Sequence, residues 1–156
     1  MTGRSHEYST RLVWEGNLGS GTSEYRAYGR GYRISVDGKP DLPGSADPLF
    51  RGDAGRHNPE DLFVAALSAC HLLTYLALCA RSGIRVVEYE DRAAGTLGLA
   101  AGGGGRFDSV TLRPRVTIDG GDPALAESLH EKAHELCFIA ASVGIPVRVE
   151  PAIARA

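Results

Sequence analysis

Sulfur is scarce in this chain, with three cysteines and one methionine in 156 residues. Cys70, Cys79 and Cys137 are too few and too widely spaced for the disulfide framework on which small secreted domains rely. The opening residues, MTGRSHEYSTRLVWEG, lack the apolar core of a secretory leader. The expectation is therefore a cytoplasmic protein, in which a cysteine pair is more often redox-active or catalytic than structural. Excess charge is also missing. The 17 basic and 19 acidic residues are scattered and leave a net charge of -2, so there is no electrostatic reason to expect nucleic acid or an anionic membrane as partner. There is no internal repeat, and the glycine run Gly102 to Gly105 lacks the spacing of a phosphate-binding loop. What is present, 43% hydrophobic and 23% charged residues, suits one globular domain over residues 1–156 with a modest core. Small neutral or apolar substrates are the class left open.

The richest feature is HNPEDLFVAALSACHLLTYLALCARSG, His57 to Gly83, whose stretch from Leu62 to Ala80 carries no Asp, Glu, Lys or Arg. A bilayer needs roughly 20 apolar residues, but Ser68, His71, Thr74 and Tyr75 interrupt the run and its alanines dilute it, which argues against a membrane span. A helix apolar all round can instead lie at the centre of a compact fold or be covered by a second copy of the chain. Its start is legible. Asn58 suits the N-cap, Pro59 the first helical position, and Glu60 and Asp61 the positive end of the macrodipole. Arg81 and Gly83 are matching stop signals, giving an element of about 24 residues and roughly 36 Å.

Around this helix the pattern predicts strands. Ser9 to Glu15 and Glu24 to Val36 read as a hairpin about the turn GNLGSGTS. Asp37 to His57, with Pro40, Pro43 and Pro48, reads as a loop long enough to suggest function or partner contact. Ile84 to Leu99 and Arg106 to Ile118 read as two strands. Asp122 and Pro123 open a second helix of about 20 residues ending near Gly144. Ile145 to Pro151 closes as a short strand with Val147 and Val149 on one face. Strands and helices so segregated predict an α+β fold with antiparallel sheet.

Cys79 lies about 180° around the helix from Cys70, so the two cannot form one site, and Cys79 reads as core. Cys137, on the other long helix, could come within reach of Cys70 if the two helices pack together. A mid-helix thiol gains little from the macrodipole, and an apolar setting raises its pKa. A reactive Cys70 therefore calls for a cation beside it and an acid to orient that cation. Arg30 and Arg33 are candidates for the first role and Glu60 for the second. His71 points about 100° away from Cys70 and reads as a core or dimer contact. A rival reading comes from His130, His134 and Cys137, on one face of the second helix, as ligands of a divalent metal. The alternative there is that both histidines are partly exposed surface residues. A non-catalytic dimer holding a lipid-like ligand is a third possibility.

NPEDLFVAALSAC resembles the central-helix signature of the osmotically inducible protein C and organic hydroperoxide resistance (OsmC/Ohr) family, with Asn58, Pro59, Glu60 and Cys70 at the family's spacing. YEDRAAG, Tyr89 to Gly95, and AHELCFIAASV, Ala133 to Val143, resemble its post-helix strand and second-cysteine helix. The resemblance implies an intertwined homodimer, with antiparallel sheets around two long central helices and an active site at each subunit boundary. It implies a thiol peroxidase reducing organic hydroperoxides, with no metal or organic cofactor. Cys70 matches the peroxidatic cysteine, Cys137 the resolving one, Arg30 the family's arginine and Glu60 the carboxylate that holds it. An external dithiol, often a lipoylated protein, would be the reductant. Two departures stand out: many relatives have proline after the second cysteine where this chain has Phe138, and the spacing in YGRGYRIS allows Arg33 in place of Arg30.

Overall fold

The computed structural model describes residues 3–156. The chain divides into two compact units, one ending at Leu62 and the other beginning at Phe63. In the first, β1 (Arg11–Trp14), β2 (Tyr32–Ser35) and β3 (Leu42–Gly44) form an antiparallel sheet in the order β1-β2-β3. The expected hairpin exists, with Arg11 opposite Ser35 and Trp14 opposite Tyr32. Its second strand is shorter than expected, because Glu24 to Tyr28 folds into turns. The stretch expected as loop contains β3 and a single 3-10 turn, Pro48–Phe50. Ser45 pins it: its backbone N–H donates to the His57 carbonyl at 3.0 Å, and its hydroxyl accepts from the Asp53 N–H at 3.0 Å.

Helix α1 (Pro59–Arg81) begins in the first unit and runs through the second. Asn58 and Asp61 cap it reciprocally: the Asp61 N–H donates to Asn58 Oδ1 at 2.8 Å and the Asn58 N–H to Asp61 Oδ2 at 3.3 Å. At the far end Gly83 takes φ +70°, and the Ile84 N–H reaches back to the Cys79 carbonyl at 3.0 Å, a Schellman ending. By length and composition α1 could cross a membrane. In this chain one stripe of it, Leu67, His71, Tyr75 and Cys79, is buried at four-residue spacing.

The second unit holds two three-stranded sheets. One is β4 (Arg85–Asp91), β7 (Pro114–Gly120) and β9 (Ala152–Arg155), in the order β4-β7-β9. The other is β5 (Ala94–Leu99), β6 (Gly105–Leu112) and β8 (Val147–Val149), in the order β5-β6-β8. The two strands expected between the helices are thus four, broken near Arg92 and at Arg113. The sheets are antiparallel-rich, as expected, and carry two parallel pairings besides, β8 with β6 and β9 with β7. Both late strands return after a helical crossover, which permits parallel pairing. The second helix is also shorter than expected. Asp122 caps α2 (Pro123–Leu136) as anticipated, but the helix stops at Cys137, and a separate turn, α3 (Phe138–Ala141), follows. Tyr75 and Cys79 of α1 pack with Ile84, Val116, Ile118, Ala126 and Ala133, while Leu67 packs with Val110 and Leu112.

Candidate active site

The break at Cys137 builds the site. Its backbone is extended, at φ -71° and ψ 112°, so Cys137 ends α2 and caps α3, with its sulfur accepting from the Ala140 N–H at 3.5 Å. Cys70, half-buried beside the buried stripe of α1, lies near enough to Cys137 for each thiol to shift the pKa of the other. Both are free thiols. The backbone N–H groups of Ile139 and Phe138 act on the Cys70 sulfur and lower its pKa. Thr74, whose hydroxyl donates to the Cys70 carbonyl at 2.9 Å, assists at the sulfur.

The electrostatics separate the pair. For Cys70 burial is the largest influence and pushes the thiol up. The Ile139 N–H, the Cys137 thiol, the Phe138 N–H and Thr74 together outweigh it and hold Cys70 below the ordinary cysteine value. Cys137 is pushed up, first by burial and then by Cys70. The chemistry that follows is a more acidic thiol at Cys70, the readier of the two to ionise, facing a less acidic one at Cys137. No charged side chain is among the influences on Cys70 in this unit. Within this unit main-chain N–H groups at a helix break provide the offset. Reading the second helix as unbroken to Gly144 concealed them, and the residue types around Cys137 carry no clear signal of that break.

His71 is buried, and its Nε2 lies 2.9 Å from Nδ1 of His130. Their rings are nearly parallel, and His130 stacks on Tyr75 with centroids 3.8 Å apart. This corrects the placement of His130 on the surface, since it is 2% exposed. Burial, followed by the neighbouring His134, brings His71 down to about 4; burial and then His71 bring His130 down to about 3. Both are neutral imidazoles at neutral pH. The metal reading of His130, His134 and Cys137 fails on geometry: among the described residues no group of three or more His, Cys, Asp or Glu is gathered to hold a metal. Cys79, 1% exposed, is core as expected.

Arg30, Glu60 and Arg33 belong to the first unit. The Arg30 guanidinium donates to the Tyr28 and Tyr25 carbonyls and stacks over both rings, 3.8 and 4.5 Å from their centroids. Arg30 and Glu60 line one cavity of about 290 Å³ but form no ion pair among the described residues. Arg33, on the other face of β2, pairs with Glu15 at 2.7 Å. Tyr32, which lines the same cavity, was not singled out in the sequence, where it looks like an ordinary strand aromatic.

A mixed helix and sheet fold with two neighbouring free thiols at a helix break defines a small α+β thiol protein. The family model for OsmC-like proteins matches residues 52–151. The chain belongs to the OsmC-like family. Its fold is similar to that of an OsmC-like protein of unknown function from Vibrio cholerae, 32% identical, with TM-score 0.86 over 95% of this chain and 100% of that one. An organic hydroperoxide resistance protein from Legionella pneumophila shares the fold at 21% identity and TM-score 0.64, over 96% and 99% of the two chains. OhrB of Bacillus subtilis, also an organic hydroperoxide resistance protein, does so at 20% identity and TM-score 0.60, over 93% and 98%. An uncharacterised Bacillus subtilis protein, YmaD, is 24% identical over 143 residues, 88% of this chain and 87% of its own length.

Proposed function

We propose that this protein is a cysteine-based peroxidase that reduces organic hydroperoxides to alcohols. The observation that carries the reading is the neighbouring Cys70–Cys137 pair, with one thiol held below and the other above the ordinary value. The Cys70 thiolate attacks the terminal peroxide oxygen, the O–O bond breaks, and the alkoxide takes a proton and leaves as alcohol. Cys70 is then a sulfenic acid. The Cys137 thiol displaces its hydroxyl as water, forming a disulfide. An external dithiol, such as a lipoylated protein, returns both sulfurs to thiols by exchange. Arg30 is assigned the stabilisation of the departing alkoxide, and Glu60 the orientation of that guanidinium. A reducing cytoplasm is the setting in which such a cycle keeps its thiols available.

The working form we assign is a homodimer. Its support is the apolar surface that the second unit leaves uncovered: Leu73 of α1 is 67% exposed and Phe138 82% exposed. The test is mass spectrometry after one equivalent of cumene hydroperoxide. A Cys70–Cys137 crosslink with release of one alcohol is expected; reduced thiols beside unconsumed peroxide would reject the reading.

A further inference from the structure

Tyr32 stands opposite Gly44 in the pairing of β2 and β3. Its ring lies directly over Gly44, since a Cβ there would come within 2.4 Å of two ring carbons and 2.6 Å of the hydroxyl. Glycine at position 44 is therefore the condition for the ring's position. The ring lines the cavity that holds Arg30 and Glu60, whose remaining walls are Ala46, Phe50 and Pro59 with the polar Ser45 and Asp47. The Tyr32 hydroxyl is shielded from solvent and has no hydrogen-bond partner among the described residues. A buried hydroxyl without a partner is costly, and proteins retain few of them. Arg30, in contrast, already donates to two carbonyls and faces two aromatic rings. Burial, reinforced by the negative charges of Glu60 and Asp61, keeps the Tyr32 hydroxyl protonated and therefore able to donate.

We propose that Tyr32 is a substrate-binding residue whose hydroxyl donates a hydrogen bond to the peroxide oxygens of an organic hydroperoxide, with the hydrocarbon body against Phe50, Ala46 and Pro59. This assignment rests on the peroxidase reading and extends it to a residue that the family resemblance does not name. A small cavity with one apolar side, formed by Ala46, Phe50 and Pro59, favours a compact, branched or aromatic body over a long polar one.

The test is Tyr32→Phe, which removes only the hydroxyl, with Gly44→Ala as a second variant that forces the ring away. Two readouts are taken on each: steady-state turnover of cumene hydroperoxide, and calorimetric binding of its product alcohol, 2-phenylpropan-2-ol. Loss of one neutral hydrogen bond should raise KM and the alcohol Kd by about three- to tenfold, with kcat within about twofold. The melting temperature of Tyr32→Phe should be unchanged or higher, as expected when an unpartnered hydroxyl is removed. A variant with the KM and Kd of the unmodified protein overturns the assignment while leaving the peroxidase reading in place. Absence of hydroperoxide consumption by the unmodified protein rejects that reading instead. Alcohol binding then still decides for Tyr32: weaker binding by Tyr32→Phe supports it, and equal or absent binding rejects it.

Discussion

Cys70 and Cys79 sit on one helix, and burial pushes both thiols up, as the largest influence on each. They nevertheless end on opposite sides of the ordinary value. Cys79 faces Ile84, Val116 and Ile118, and its one compensating contact is the Tyr75 hydroxyl, so it stays high and inert. Cys70 faces the interruption between α2 and α3, where backbone N–H groups freed from helical pairing turn toward it. Reactivity is thus decided by what stands across from a sulfur, and local sequence polarity is a poor guide to it.

The sharpest way to break this comparison is to exchange each thiol in turn. Cys70→Ser should abolish hydroperoxide consumption, whereas Cys79→Ala should retain full turnover and lose about 1 kcal/mol of stability from a small core void. Equal losses of activity in the two variants would erase the distinction. Cys137→Ser should complete one turnover and then stall as sulfenate or overoxidised Cys70; sustained turnover with dithiol would remove the resolving role.

A finer probe is Phe138→Pro. The extended backbone of Cys137 is compatible with a following proline, and position 138 is the first of α3, where proline is tolerated. The substitution therefore deletes chiefly one N–H from the group that holds Cys70 down. The Cys70 pKa, read from the pH profile of iodoacetamide alkylation, should rise, while Cys79 labelling stays unchanged. An unmoved profile would show that the Phe138 N–H contributes nothing.

The smallest expected effect concerns the buried imidazoles behind the site. His71 and His130 have folded values of about 4 and about 3, below the ordinary 6.5. Between those limits the unfolded chain binds more protons than the folded one, so stability rises with pH and is lost as pH falls from 6.5 toward 4. The groups acting on His71 are His134, which lowers it, and Asp91, which raises it. A His71→Leu, His130→Leu double variant should show a flatter melting temperature across that range. An equally steep decline would place the acid sensitivity elsewhere.

Much of the fold was readable because helix ends are local events. Asn58 and Asp61 satisfy N–H groups within one turn, Pro59 brings none that needs a partner, and Gly83 and Asp122 act on their immediate neighbours. The thiol pair was suggested by the Cys70 and Cys137 matches to the family pattern. The strand count between the helices and the parallel returns of β8 and β9 were not readable, since pairing joins residues distant in the chain.

What the order of residues determined alone was an α+β chain with a capped apolar helix carrying Cys70 at its middle, because capping, turn chemistry and periodicity are short-range. Only the tertiary structure decided which groups surround each sulfur, that His130 is buried against His71, and that Tyr32 lies over Gly44. Those contacts bring together segments far apart in sequence, and their energies come from burial and from polar groups that only packing can gather.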